Sequence, residues 1–239
     1  VNNVKNKTIR YALVDANNKL VYKDYFLRVE SIYKNYYVVY LQDNSVGIID
    51  NTGKYILKPE FSKITECGNS LFCTYKKNNN NKAEIYDTKG KLLLKDKYIK
   101  PLGLNIDAFT GKNYIFASDI NVNSDEPKQL SLFDGDLNEI LTIENKGIVN
   151  LYSDNYFVTL FDRKIKLIDF KGKTIFEPNY DYIGKSVVYK NKEYFIVGNS
   201  YRYGVVDSNN KVILPLSYST IYFSEKNGLI WANKANIKG

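Results

Sequence analysis

The sequence predicts an all-β protein built from six copies of one four-stranded unit. Three observations carry that prediction: a motif that recurs at near-regular spacing, alternation of apolar residues along short runs, and turn residues between the runs. The motif is apolar-x-apolar-apolar-Asp, with Lys four residues on. It reads YALVDANNK, VGIIDNTGK, AEIYDTKGK, LSLFDGDLN, IKLIDFKGK and YGVVDSNNK. Its aspartates are Asp15, Asp50, Asp87, Asp134, Asp169 and Asp207, separated by 35, 37, 47, 35 and 38 residues. A period of this length marks a repeat architecture. Two residues before each Asp stands an aliphatic side chain (Leu13, Ile48, Ile85, Leu132, Leu167, Val205), and six residues after it another (Val21, Ile56, Leu93, Ile140, Ile175, Ile213).

Each copy reads as four strands. Strand A ends at the Asp and alternates with period two, as in Val46/Ile48 and Ile165/Leu167, which marks one buried face. The Asp-x-x-Gly/Asn-Lys stretch is a hairpin turn, with Asn18, Gly53, Gly90, Gly172 and Asn210 where a positive φ is required. The recurrence of the Asp in every copy argues for turn capping. Strand B follows ("KYIL", "KVIL"). Strand C comes after a longer connection ("RVESI", "SKITE", "STIYF"), and strand D is aromatic and β-branched ("YYVVY", "LFCTY", "YFVTL", "YFIV"). No segment sustains a 3.6-residue period, so almost no helix is expected.

Loop lengths group the strands. D-to-A is tight at Asp162–Arg163, and A-to-B and C-to-D are short. The B-to-C link carries Pro-x-aromatic ("KPEF", "EPNY", "LPLSY"), and proline cannot donate to a ladder. B-to-C is therefore the expected crossing between sheets, and each sheet a C-D-A-B meander. Six such sheets suit a six-bladed β-propeller-like ring forming one repeat domain over residues 1–239. The chain starts with A and B and ends with C and D, so pairing "TIRYALV" (8–14) with "GLIWA" (228–232) would close the ring. The alternative is an open β-solenoid of the same copies.

The chain has 239 residues and a formal charge of +8, carried mostly by Lys, with Arg only at positions 10, 28, 163 and 202. That charge suits a solvated surface or an anionic partner such as a wall polymer. Nucleic acid is disfavoured, because bidentate readout prefers Arg. No apolar run is long enough to span a bilayer as a helix. The absence of Met is expected of a processed chain from which any leader has been removed. Cys67 and Cys73, in "ITECGNSLFCTY", fit no zinc spacing. They either face each other across a hairpin as a disulfide or are small buried apolar residues.

With no His, Ser/His and Cys/His mechanisms are excluded. Carboxylate pairs for glycoside hydrolysis remain available among 26 acidic residues. "DGDLNE" (134–139) alternates acids as calcium loops do, but it lacks the later Gly and the bidentate Glu, and it aligns with the ordinary A-B turn. No cofactor, metal or catalytic residue is expected.

Copies such as "VGIIDNTGKYILKPEFSKI" (46–64) and "YGVVDSNNKVILPLSYSTI" (203–221) resemble WG-type bacterial β-repeats. Val46–Gly47 and Tyr203–Gly204 stand where that family has Trp-Gly, and the other four copies lack the Gly. The resemblance implies a non-catalytic repeat module, often at the cell envelope, with no common ligand.

D-A and B-C loops share one end of each sheet, and that end carries the length variation: "KKNNNNK" (76–82) and the insertion "SDINVNSDEPKQ" (118–129). It also carries the aromatics after strand B: Phe26, Phe61, Tyr98, Tyr180 and Tyr218. Variable loops on a rigid scaffold are where binding concentrates. The sequence thus points to a non-enzymatic binding module outside the cytoplasm, with a protein or glycan partner meeting Tyr98, Asp119, Asp125, Glu126 and Lys128. An anion-binding propeller for wall polymer or nucleic acid through surface Lys and a carbohydrate-active enzyme using channel carboxylates are the alternatives.

Overall fold

A computed structural model describes residues 10–21, 25–79, 81–102, 113–224 and 229–234. Among them every regular element is a strand, every recorded strand pair is antiparallel, and there is no helix. The chain divides into two compact units: Val1–Asp119 with Leu132–Glu139, and Ile120–Ser131 with Ile140–Gly239.

In the first unit β1 (Arg28–Tyr33), β2 (Tyr36–Tyr40), β3 (Val46–Asp50) and β4 (Tyr55–Phe61) form one sheet in chain order, the expected C-D-A-B meander. The next copy is β5 (Lys63–Gly68), β6 (Leu71–Tyr75), β7 (Ala83–Asp87) and the start of β8 (Leu92–Leu102). β8 runs on to pair with β9 (Tyr114–Ser118), and β10 (Lys128–Asp134) and β11 (Glu139–Asn145), whose residues are divided between the two units, complete a seven-stranded sheet. The second unit holds two further meanders. One is β12 (Ile148–Ser153), β13 (Tyr156–Phe161), β14 (Lys164–Asp169) and β15 (Thr174–Tyr180). The other is β16 (Tyr182–Tyr189), β17 (Lys192–Asn199), β18 (Arg202–Asp207) and β19 (Val212–Tyr218). β20 (Thr220–Phe223) pairs with β21 (Ile230–Asn233) in a two-stranded sheet.

The six aspartates do one job. Each Oδ1 accepts the backbone N–H groups two and four residues on, at 2.8–3.1 Å, from Asn17/Lys19 through Asn209/Lys211. The residue three places on has φ between 60° and 84° in every copy: Asn18, Gly53, Gly90, Leu137, Gly172, Asn210. Because the bond from the fourth residue comes from its main chain, Asn138 serves as well as Lys. Burial pushes the Asp50 carboxyl up, but Thr52 Oγ1 and the N–H groups of Thr52 and Lys54 outweigh it. The net pKa lies below the ordinary Asp value.

The Pro-x-aromatic stretch lies inside strand B, not in a crossing loop as its proline suggested. Val46 pairs with Phe61 and Ile48 with Leu57, so two A-strand steps oppose four on strand B. Ile165/Tyr180 with Leu167/Phe176, and Tyr203/Tyr218 with Val205/Leu214, repeat that offset. Pro59, Pro178 and Pro215 sit in these bulges, where a missing N–H costs no ladder bond. The crossing itself is one residue: Ser62, Asp181 or Ser219, whose N–H donates to Tyr75, Gly198 or Asn233 of the following sheet. The β7–β8 copy has Asp96 in place of the proline and shows the smaller offset Ala83/Lys97 to Ile85/Leu94. There strand B continues directly into strand C.

The bulge explains two glycines. A Cβ on Gly47 would lie 2.7 Å from the Leu57 carbonyl oxygen, and one on Gly204 2.6 Å from that of Leu214. Lys166 holds the same place in β14, so the close approach belongs to those two copies rather than to the repeat. Gly47→Ala must push main chain against main chain and is expected to cost about 2 kcal/mol, the usual range for overpacking. The midpoint of urea unfolding measures it.

Ile48, Ile85, Leu132, Leu167 and Val205 are fully buried, as the alternation required. Of the aliphatics six residues after the Asp, Ile175 is buried, whereas Leu93 and Ile213 are 36% and 39% exposed. Phe26, Phe61 and Tyr180 are buried, so these aromatics after strand B are packing residues. Cys67 and Cys73 form a disulfide, with Cα atoms 5.6 Å apart, and both are buried beside Leu71, Ile85 and Ile115. Cys73→Val would be nearly neutral on volume alone. Opening this short loop adds about 2 kcal/mol of chain entropy to the unfolded state; that loss is the expected result without reductant, and reductant, which opens the bridge in the parent protein too, should remove the difference.

Candidate functional site

The stretch 160–178 supplies one wall of a cleft in the second unit. On the β13–β14 hairpin Phe157 pairs with Ile168, Thr159 with Lys166 and Phe161 with Lys164. Directly opposed residues share a face, so this face runs from core (Phe157, Ile168) through buried Thr159 to exposed Phe161. The two-residue turn Asp162–Arg163, both at positive φ, ends it at the D-A side. Across from it stand Lys128 and Gln129 of β10 and Glu144, Asn145 and Lys146 at the end of β11. Pro127, Lys166 and Glu177 complete the lining of this open cleft, whose volume is about 780 Å³.

Lys128 organises the far wall. Its side chain is 6% exposed, and Nζ donates to the carbonyls of Ser124, Glu126 and Gly147, the last at 3.0 Å. Asn145 Nδ2 donates to the same Gly147 carbonyl at 3.2 Å. One ammonium therefore ties the insertion to the link between β11 and β12. Desolvation pushes the Lys128 pKa down, opposed by Asp125 and Glu126. Lys146 Nζ lies 4.2 Å from the Phe161 ring centroid, and Lys164 Nζ donates to Asn199 Oδ1 at 3.0 Å. Gln129 Nε2 donates to Glu144 Oε1 at 3.4 Å.

Of the five residues expected at a binding surface, Asp125, Glu126 and Lys128 belong to the second unit and Tyr98 and Asp119 to the first. Asp125 and Glu126 are exposed. Lys128 is turned inward onto carbonyls, so it shapes the cleft instead of offering a rim cation. In the first unit Tyr98 is half-buried, pairs with Ser118 and lies 5.5 Å below Lys82 Nζ, while Lys97 Nζ meets Asp119 at 2.7 Å. Phe161, Lys146, Lys164 and Lys166 were missed as site residues. The signal was present in the alternation Thr159-x-Phe161 against Lys164-x-Lys166, which reads equally well as a charged sheet edge.

A smaller groove in the first unit, about 280 Å³, is lined by Glu30, Ser31, Ile32, Val38, Ile64 and Glu66. Desolvation raises the Glu66 pKa, and Glu30 accepts from Tyr40 Oη at 2.9 Å and from the Arg28 guanidinium. Asp134 of "DGDLNE" caps its turn as the other five aspartates do, accepting from Asp136 and Asn138.

The fold thus defines a protein of repeated antiparallel β-meanders. The family model described as "WG containing repeat" matches residues 47–80 and 203–236, and these two stretches are WG-type β-repeats. No curated protein matches the chain in sequence. Among solved structures it is similar to BamB from Moraxella catarrhalis (11% identity, TM-score 0.33, 92% of this chain and 75% of that one). It is also similar to a eukaryotic initiation factor (11% identity, TM-score 0.39, 91% of this chain and 64% of that one). A third is the WD40 beta propeller domain of Doa1 (13% identity, TM-score 0.29, 90% of this chain and 78% of that one). The architecture rests on the strand pairing above.

Proposed function

We propose that the protein is a non-enzymatic binding module that works outside the cytoplasm and presents the D-A and B-C ends of its sheets to a protein or glycan partner. One observation carries this reading. The A-B ends are six versions of one capped turn, whereas the cleft is assembled from a D-A turn, a B-C link and the residues that close the insertion. A uniform end has little to distinguish a ligand with; a varied end does. The Cys67–Cys73 disulfide supports an oxidising compartment. We also read the copies as closing into a six-bladed ring. The first copy contributes only A and B segments, joined by the bridges Tyr11/Phe26 and Val14/Leu20, and the last only C and D, β20 and β21. The closing segments extend to Thr8, Ile9 and Gly228, outside the described residues.

The test is a pull-down from glycan libraries and envelope extract with the intact protein and two variants. Asp125→Ala/Glu126→Ala/Phe161→Ala alters the varied end, and Lys89→Ala/Lys171→Ala alters A-B turns. The expected result is loss of the captured partner with the first variant alone. Equal capture by all three removes the reading. Cleavage of a captured glycan that stops with Glu66→Gln would instead favour the enzyme alternative in the Glu30/Glu66 groove. The insertion is best shortened between Asn123 and Glu126 rather than removed whole, because Val122 is 2% exposed and Lys128 braces the cleft.

A further inference from the structure

We infer that the second-unit cleft is a subsite for an acidic sugar, a hexuronate ring laid on Phe161 with its carboxylate held by Lys146. This rests on the binding-module reading and names the ligand class for it. Phe161 is the one aromatic among the described lining residues and is 37% exposed, with Lys146 Nζ over its ring. Gln129, Glu144, Asn145, Asp162 and Glu177 surround it with amides and carboxylates. A single aromatic platform ringed by hydrogen-bonding groups suits a saccharide, whose C–H face is apolar and whose edge is hydroxyl. The volume of about 780 Å³ holds more than one sugar ring.

The position of Lys146 argues for an acidic ring over a neutral one. Its ammonium covers the Phe161 face at 4.2 Å. A neutral sugar must displace it and offers no charge in return. A carboxylate on the stacked ring gives it a charge-assisted hydrogen bond, stronger than a cation–π contact at an exposed ring. Lys166 makes no side-chain hydrogen bond or ion pair among the described residues, and it stands on the same hairpin face beside Thr159. It is placed to take a second acidic group.

Other ligand classes fit less well. The lining has no arginine, the side chain that takes phosphate oxygens bidentately. β13 and β14 are each laddered on both sides, which leaves only the edge of β11, across the cleft, to extend a peptide.

Titration calorimetry on the full chain tests the proposal, using galacturonic acid tetramer and the same tetramer with its carboxylates methyl-esterified. The free acid is expected to bind saturably, and the ester roughly tenfold more weakly, the worth of one charged hydrogen bond. Phe161→Ala should weaken both by at least about tenfold, the loss of one stacking platform. Lys146→Gln should narrow the difference between acid and ester, and adding Lys166→Gln should erase it. Phe161→Leu, which keeps bulk and removes the π face, serves if the alanine variant folds poorly. Saturable binding lost in these variants supports the subsite. Equal binding of acid and ester, binding indifferent to Phe161, or no binding at millimolar acid overturns it. In each overturning case the binding-module reading survives only if the pull-down still finds a partner that the varied-end variant loses.

Discussion

Deleting residues 1–14 is expected to abolish the cooperative thermal transition of the whole protein. Two losses combine. Tyr11 and Phe26 exchange both main-chain hydrogen bonds at 2.8 Å, and Phe26 is fully buried with Val39 and Ile49. Removing Tyr11 leaves that segment's backbone unpaired. In the proposed ring the same deletion also strips β21 of its outer neighbour and opens two sheet edges. An open stack would lose only its first copy and keep the remaining sheets, because repeat arrays are stabilised mainly by nearest neighbours. Differential scanning calorimetry separates the outcomes. A truncated chain that retains its midpoint excludes closure and leaves the solenoid.

Lys128→Met is expected to destabilise the second unit by about 1–3 kcal/mol, the worth of charge-assisted hydrogen bonds to partly buried carbonyls. Methionine keeps the aliphatic stem packed but removes the donor to Ser124, Glu126 and Gly147. The Gly147 carbonyl keeps Asn145 Nδ2, so the loss falls on the other two. Urea unfolding gives the magnitude. Hydrogen exchange at the amides of 121–126 and 145–147 should show protection falling there first. A midpoint unchanged within error would mean that the ammonium sits in solvent and the cleft has no brace. Lys128→Arg is a poor rescue, since a planar guanidinium cannot aim three donors at three separate carbonyls.

The repeat itself was legible without coordinates. Six capped turns, the buried column from Ile48 to Val205 and the antiparallel meanders all follow from local chemistry: an Asp that caps, a residue that accepts positive φ, and a two-residue alternation that leaves each strand one face to bury. Leu137 shows the limit of such rules. It takes φ 64° without being Gly or Asn, because its side chain packs against the cluster around Cys67 and Ile115. Tertiary burial there offsets a local cost.

Tertiary structure decided what the sequence held open or misplaced. Proline in "KPEF" signals only that a ladder bond is missing. Whether the chain leaves the sheet or bulges within it depends on the neighbouring strand, and here it bulges. Cys67 and Cys73 could be bonded or merely buried; the β5–β6 hairpin brings them together because Thr65 pairs with Cys73. Lys128 reads as a surface cation until Gly147, 19 residues away, supplies its carbonyl. Phe161 and Lys146 are separated along the chain and meet where the start of β12 pairs with the end of β13, Ile148 opposite Leu160. The unit, its capped turns and the residues of its buried column follow from patterns a few residues long. The cleft is made of contacts between units of the repeat, and no local pattern encodes those.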